Sequence, residues 1–218
     1  MLFRSDGEPL ESVVERIRAG DAATLAEWDY ARRIRTIIAV LKALDYAHAN
    51  GILHRDLKPA NVMLGDFGEV WVLDWGLARL VEAPTPADEP APSSERAPVA
   101  DDSGAETDIG QILGTPGYMA PEQILGQTDE IDARTDVYSL GVVLFEILTH
   151  EALFTSPEAN VIFRQTLQGV ETRPSVRTPD RDIGPELDAI VVRATRTAPE
   201  DRFQTARELH DALERFLA

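Results

Sequence analysis

His54-Arg55-Asp56-Leu57-Lys58-Pro59-Ala60-Asn61, or HRDLKPAN, decides how this chain of 218 residues is read. Pro59 and Asn61 suit a loop better than a helix or strand. Upstream, Ile34, Ile37, Ile38, Leu41, Leu44 and His48 fall on an i, i+3, i+4, i+7 stripe, which predicts a helix over 31–49. Gly51 stands just past it, where a helix end tolerates positive φ. Downstream, Val62-Met63-Leu64 and Val70-Trp71-Val72-Leu73 are strand-like. Gly65-Asp66-Phe67-Gly68 between them supplies turn residues, so a hairpin is expected beside the loop.

Farther along, residues 135–149 are apolar nearly all round, from Val137 and Tyr138 to Ile147 and Leu148. A helix without a polar face belongs at the centre of its domain. Pro185 opens another helix at its first position, with Leu187, Ile190, Val191 and Ala194 on one face. Thr205-x-x-Glu208 has the capping-box spacing and starts a last helix, buried through Leu209, Leu213, Phe216 and Leu217. No internal repeat is present. The expected architecture is mainly α, one domain over 1–218, with one small strand pair near HRDLKPAN. Residues 82–108 break the pattern: Pro84, Pro86, Pro90, Pro92 and Pro98 punctuate Ala, Ser and acidic residues, and only Arg96 opposes the acids. Such a stretch cannot offset its ordering entropy by burial, so it is expected to be a flexible excursion within the domain.

Hydrophobic residues make up 44% and charged residues 27%, the balance of a globular protein with a real core. A net charge of −17 argues against nucleic acid and anionic membranes as partners, because their phosphates would be repelled. The absence of cysteine excludes disulfides, thiolate metal sites and cysteine nucleophiles. The N-terminus lacks the apolar core of a signal peptide. The nearest approach to a membrane span, Ile34 to Ala47, is interrupted by Arg35, Lys42 and Asp45, so no membrane segment and a cytoplasmic location are expected.

Singly, the polar residues have plain readings. Asp56 and Asp74 would cap turns, Asn61 would be a turn residue, Lys58 a solvated charge and Met63 part of the core. Their order changes that. HRDLKPAN is followed by Asp74-Trp75-Gly76, then GTPGYMAPE at 114–122, then DVYSLG at 136–141. In this order the chain resembles the eukaryotic-like serine/threonine protein kinases of bacteria, from about residue 10 to 217. The resemblance covers the C-terminal lobe of such a kinase.

The resemblance implies transfer of the ATP γ-phosphoryl group to protein Ser or Thr hydroxyls with Mg²⁺, a chemistry that asks mainly for positioning and charge neutralisation. Asp56 resembles the base that accepts the substrate hydroxyl proton. Lys58 resembles the cation beside the moving phosphoryl group. Asn61 and Asp74 resemble the Mg²⁺ ligands, and a carboxylate with an amide oxygen suits a hard cation. Met63 resembles the side chain under adenine. Lys58 and Thr115 both favour a serine or threonine acceptor. His54 and Trp75 resemble members of a packed column between lobes, with Trp75 in place of the usual Phe. Asp136 resembles the aspartate that holds the catalytic-loop backbone, and Glu122 with Arg202 the ion pair that anchors the activation segment. Arg55 resembles the arginine that pairs with a phosphorylated residue of that segment, for which Thr107 comes first and Ser103 and Thr115 follow.

The family's glycine-rich phosphate loop and strand lysine are not found, since Lys42 and Lys58 are the only lysines and Lys42 lies on the expected helix. An absent N-terminal β lobe is therefore expected, with the cleft face open to an N-lobe donor or another docking partner. A pseudokinase-like binding module and an inactive fragment are the alternatives to an active kinase lobe.

Overall fold

The computed structural model describes residues 7–77, 79–80 and 114–218. The proline-rich interval 82–108, with Ser103 and Thr107, lies outside them. Helix α5 (Ala133–Thr149) forms the centre, and every residue from Thr135 to Thr149 is buried. Asp132 caps its start by accepting a hydrogen bond from Arg134 N at 2.8 Å. Its far end turns at His150, whose φ of 63° is left-handed.

Two long helices lean on this core. Helix α3 (Tyr30–Ala49) buries Ile34, Ile37, Ile38, Leu41 and Leu44, the stripe expected from spacing, and begins under an Asp29 side-chain cap. Gly51 closes the exit from α3 with φ 72°. Helix α9 (Ala206–Leu217) packs along α3 and α5. Its start departs from a closed capping box. Thr205 Oγ1 accepts from Glu208 N at 3.1 Å, but the Glu208 carboxylate accepts from Gln204 N at 3.0 Å, one residue too early. Arg193, 3.4 Å from the same carboxylate oxygen, gives it a cationic neighbour.

Helix α8 (Pro185–Ala194) carries its proline at the first turn, as expected, and crosses α5 at Gly141. A Cβ at Gly141 would lie 2.7 Å from Ala194 Cβ and 3.0 Å from Thr195 Cγ2, so only glycine allows this approach.

The expected hairpin is present as β3 (Val62–Leu64) and β4 (Val70–Val72), with Met63 opposite Trp71. A third strand, β1 (Glu8–Pro9), extends the sheet in the order β1-β3-β4 and puts its proline on an edge. A second antiparallel pair, β2 (Ile52–Leu53) with β5 (Arg79–Leu80), brackets the other side of HRDLKPAN. The polar loop thus hangs between two small sheets.

Further helices fill the perimeter: α1 (Leu10–Arg18), α2 (Ala22–Glu27), α4 (Pro121–Ile124), α6 (Ala159–Gln168) and α7 (Pro174–Arg177). Of these, α1 carries a legible stripe, because Leu10, Val13, Val14 and Ile17 are all buried. Helices α2, α4 and α7 are short, and tertiary packing sets their limits.

One ion pair is sealed inside. Glu122 of α4 receives Arg202 through two bonds of 2.8 Å, and the arginine is 1% exposed. Arg202 also donates to the carbonyls of Arg196, Arg134 and Thr197 and lies over the Tyr138 ring. Thr135 Oγ1 donates to Glu122 Oε1 at 2.7 Å. Removing one partner leaves a buried charge uncompensated. Glu122→Gln is expected to lower unfolding stability by about 3–5 kcal/mol, and the Glu122→Leu, Arg202→Met pair to lose less than Arg202→Met and Glu122→Leu summed. Urea denaturation of the single and double variants measures both. A Gly141→Ala variant should cost about 1–3 kcal/mol by overpacking.

Candidate active site

Asp136, in the first turn of α5, is fully buried and collects three donors. Its Oδ2 accepts from His54 N at 2.9 Å and from His48 Nε2 at 2.8 Å. Its Oδ1 accepts from Arg55 N at 2.8 Å. These bonds hold Arg55 at φ 71°, a conformation side-chain-bearing residues avoid. The reversal at Arg55 turns the next residue, Asp56, out of the core.

The Asp56 carboxylate is the hub of a polar cluster. Lys58 Nζ donates to its Oδ2 at 2.9 Å. Thr115 Oγ1 donates to its Oδ1 at 2.7 Å and accepts from Lys58 Nζ at 2.6 Å. Asn61, at the end of a short 3-10 turn Pro59–Asn61, donates from Nδ2 to the Asp56 carbonyl at 2.8 Å. Its amide nitrogen is thereby committed inward, which leaves Oδ1 as the oxygen able to bind a cation.

Asp74 is brought to the same loop by the backbone. Leu73 N donates to Asn61 O at 2.8 Å, so the residue before Asp74 is fastened to Asn61. Asp74 itself has φ 58° and is exposed; Gly76 N donates to its Oδ1 at 3.3 Å. A second Asp-aromatic-Gly triplet, Asp66-Phe67-Gly68, sits in the hairpin turn with Phe67 92% exposed. Its position at the turn, away from Asn61, leaves Asp74-Trp75-Gly76 as the triplet of the site.

His54 and Trp75 pack against each other at a tilt of 57°, with ring centroids 4.8 Å apart. His54 Nε2 bonds the Leu73 carbonyl at 2.8 Å, which requires the proton on that nitrogen and fixes the tautomer. The Trp75 indole donates to Val72 O at 3.0 Å, so the donor that phenylalanine would lack is satisfied. Met63 lies half-buried in β3 between Pro9 and Trp71.

Residues beyond the motif reading complete the frame. His48 lay on the apolar stripe of α3 and turns out to bind Asp136; a polar side chain on that stripe was the available signal. Gln123 Nε2 donates to the Arg55 carbonyl at 2.8 Å. Tyr118 donates its hydroxyl to Glu146 Oε2 at 2.7 Å, and Arg18 of α1 binds the other oxygen. Burial pushes the Glu146 carboxyl up, against the pull of Tyr118 and Arg18. Burial foremost, with the Glu146 charge behind it, also raises the Tyr118 phenol.

Among the described residues, no three His, Cys, Asp or Glu side chains gather into a cation cage. One carboxylate and one amide match the sparse protein ligation of Mg²⁺, whose other ligands are water and substrate phosphates.

The description of the protein kinase domain matches residues 7–213. The serine/threonine-protein kinase PknB of Mycobacterium tuberculosis is 38% identical over 184 residues, 84% of this chain and 26% of its own. The serine/threonine-protein kinase PknD of Protochlamydia amoebophila is 32% identical over 217 residues, 97% of this chain and 22% of its own. A probable serine/threonine-protein kinase of Streptomyces coelicolor is 36% identical over 183 residues, 84% of this chain and 24% of its own. The chain belongs to the protein kinase domain family, in its bacterial Hanks-type serine/threonine branch. It spans about a quarter of the length of these relatives. No helix among the described residues is long and apolar enough to cross a membrane.

Replacing Asp136 by Ala leaves two backbone N–H groups of the loop without an acceptor. The expected loss is about 2–5 kcal/mol of unfolding free energy, read from the urea midpoint at unchanged slope.

Proposed function

We propose that this chain is the catalytic lobe of a protein serine/threonine kinase, in which Asp56, Lys58, Asn61 and Asp74 serve transfer of the ATP γ-phosphoryl group to a protein hydroxyl. The carrying observation is the Thr115 hydroxyl, which gives its proton to Asp56 Oδ1 while Lys58 Nζ holds its oxygen. A substrate serine or threonine in that place would find an acceptor for its proton and a cation beside its oxygen. Asp56 would orient the attacking hydroxyl and take up its proton, and Lys58 would offset charge as the new P–O bond forms. Asn61 Oδ1 and Asp74 are the residues to hold Mg²⁺, which with ATP supplies the phosphoryl group and neutralises its oxygens. Met63 would lie on the adenine side. Thr107 is proposed as the phosphorylated residue that Arg55 answers.

The phosphate-covering glycine loop and the strand lysine are not encoded in these 218 residues. Activity is proposed to depend on polypeptide beyond them, in the same or another chain. A second reading, a docking module, is favoured by one observation: Phe67, Trp71 and Leu73 are exposed on the hairpin and its exit.

The 218 residues alone are expected to show no detectable autophosphorylation with radiolabelled ATP. When the missing loop and lysine are restored, transfer to a protein substrate should appear, and Asp56→Ala should lower it by about 10²–10⁴-fold. Transfer that survives Asp56→Ala unchanged would contradict the assignment; no transfer in the restored protein would favour the docking module.

A further inference from the structure

The peptide unit between Arg55 and Asp56 leads directly into the carboxylate-bearing residue of the site, and it is bonded at both ends. Its N–H, that of Asp56, points to His54 Nδ1 at 3.3 Å. Its carbonyl, that of Arg55, accepts from Gln123 Nε2 at 2.8 Å. Arg55 has φ 71°, so its own backbone preference does not keep this carbonyl in place. A side chain 68 positions away in sequence does.

Gln123 has one orientation open to it. Its Oε1 accepts from Ala120 N at 3.0 Å, while its Nε2 donates to Arg55 O. The first neighbour can only donate and the second can only accept, so exchanging the amide oxygen and nitrogen would lose both bonds. Gln123 is 5% exposed, which keeps bulk water from replacing them. The backbone that carries it is equally fixed. Glu122, next to it in α4, is paired with Arg202 and Thr135, and Ser139 of α5 donates to Tyr118 O at 2.8 Å.

The stretch 114–123 therefore reaches Asp56 twice. Thr115 meets its carboxylate, and Gln123 meets the backbone just before it. A substrate hydroxyl arriving at Asp56 would displace the first contact and leave the second. Gln123 stands one residue beyond the GTPGYMAPE motif, and no motif position pointed to it.

We propose that Gln123 is a positioning residue for phosphoryl transfer, setting the direction of the Asp56 carboxylate through the Arg55 carbonyl. Resting on Asp56 as the proton acceptor proposed above, this role carries the placement of the stretch 114–123 into the group that receives the substrate proton.

Steady-state kinetics of the protein with the glycine loop and lysine restored test this. Gln123→Glu keeps an acceptor for Ala120 N and removes the donor to Arg55 O. It should lower kcat about 10–100-fold and leave KM for ATP within about twofold. A protonated glutamic acid can donate again, and burial holds such a carboxyl above the usual range. The loss relative to the unmodified protein should therefore shrink as pH falls from about 8.5 to about 6. Gln123→Met has no such proton, and its loss should not respond to pH. In an Asp56→Ala background, Gln123→Glu should lower transfer no further, because both changes act through one group. Unchanged kcat in both Gln123 variants, with only the thermal midpoint lowered, would overturn the proposal, as would a loss that adds in full to that of Asp56→Ala. Transfer that survives Asp56→Ala strikes the assignment of Asp56 instead. Crystal structures of the 218-residue chain and its Gln123→Met variant need no activity: the Asp56 carboxylate should be displaced in the variant, and an unmoved carboxylate would overturn the proposal.

Discussion

One buried carboxylate organises the reactive end of the molecule. Asp136 sits where the central helix begins, takes the amides of His54 and Arg55 on separate oxygens, and binds His48 from α3. The left-handed turn at Arg55 costs on the order of 1–2 kcal/mol and persists because these bonds over-determine it. That turn aims Asp56 at Lys58 and Thr115, and Asn61 then ties the loop to itself. Helix α5 is rigid because it is buried on every side, so the loop inherits its position from the core.

The same pattern recurs around the site. Strain and buried charge are tolerated only where a network answers them. Arg55, Asp74 and His150 are the non-glycine residues with positive φ among those described. Arg55 lies within the HRDLKPAN loop, Asp74 opens the Asp74-Trp75-Gly76 triplet, and His150 closes α5 between two arginines. Glu122 and Arg202 bind the segment 114–122 to the base of the lobe through a pair that is satisfied on both sides. Tyr118, Glu146 and Arg18 link the same segment to α5 and α1. The C-terminal end of this segment is therefore anchored by interactions that do not involve Asp56, Lys58, Asn61 or Asp74.

Much of this was legible in the chain. The stripes of α3, α8 and α9 follow helical spacing, α5 follows its lack of a polar face, and the hairpin follows its turn residues. Motif order pointed to Asp56, Asn61 and Asp74 as neighbours; the Asn61 side chain bonds the Asp56 carbonyl, and a backbone bond from Leu73 to Asn61 brings Asp74 alongside. What was not legible depends on partners distant in sequence. Strands β1, β2 and β5 are two residues each and exist only through pairing. His48 reads as one more position on a helix face until Asp136, 88 residues away, meets it. Arg33 and Arg181 stand far apart in the chain, and only packing brings both to His150.

Amide hydrogen exchange at His54 and Arg55 tests the central claim most directly. If Asp136 pins the catalytic loop, both amides exchange as slowly as those in the middle of α5, and Asp136→Asn accelerates them while α5 stays protected. Rapid exchange of both amides in the unmodified protein would show that the loop is not held by this carboxylate.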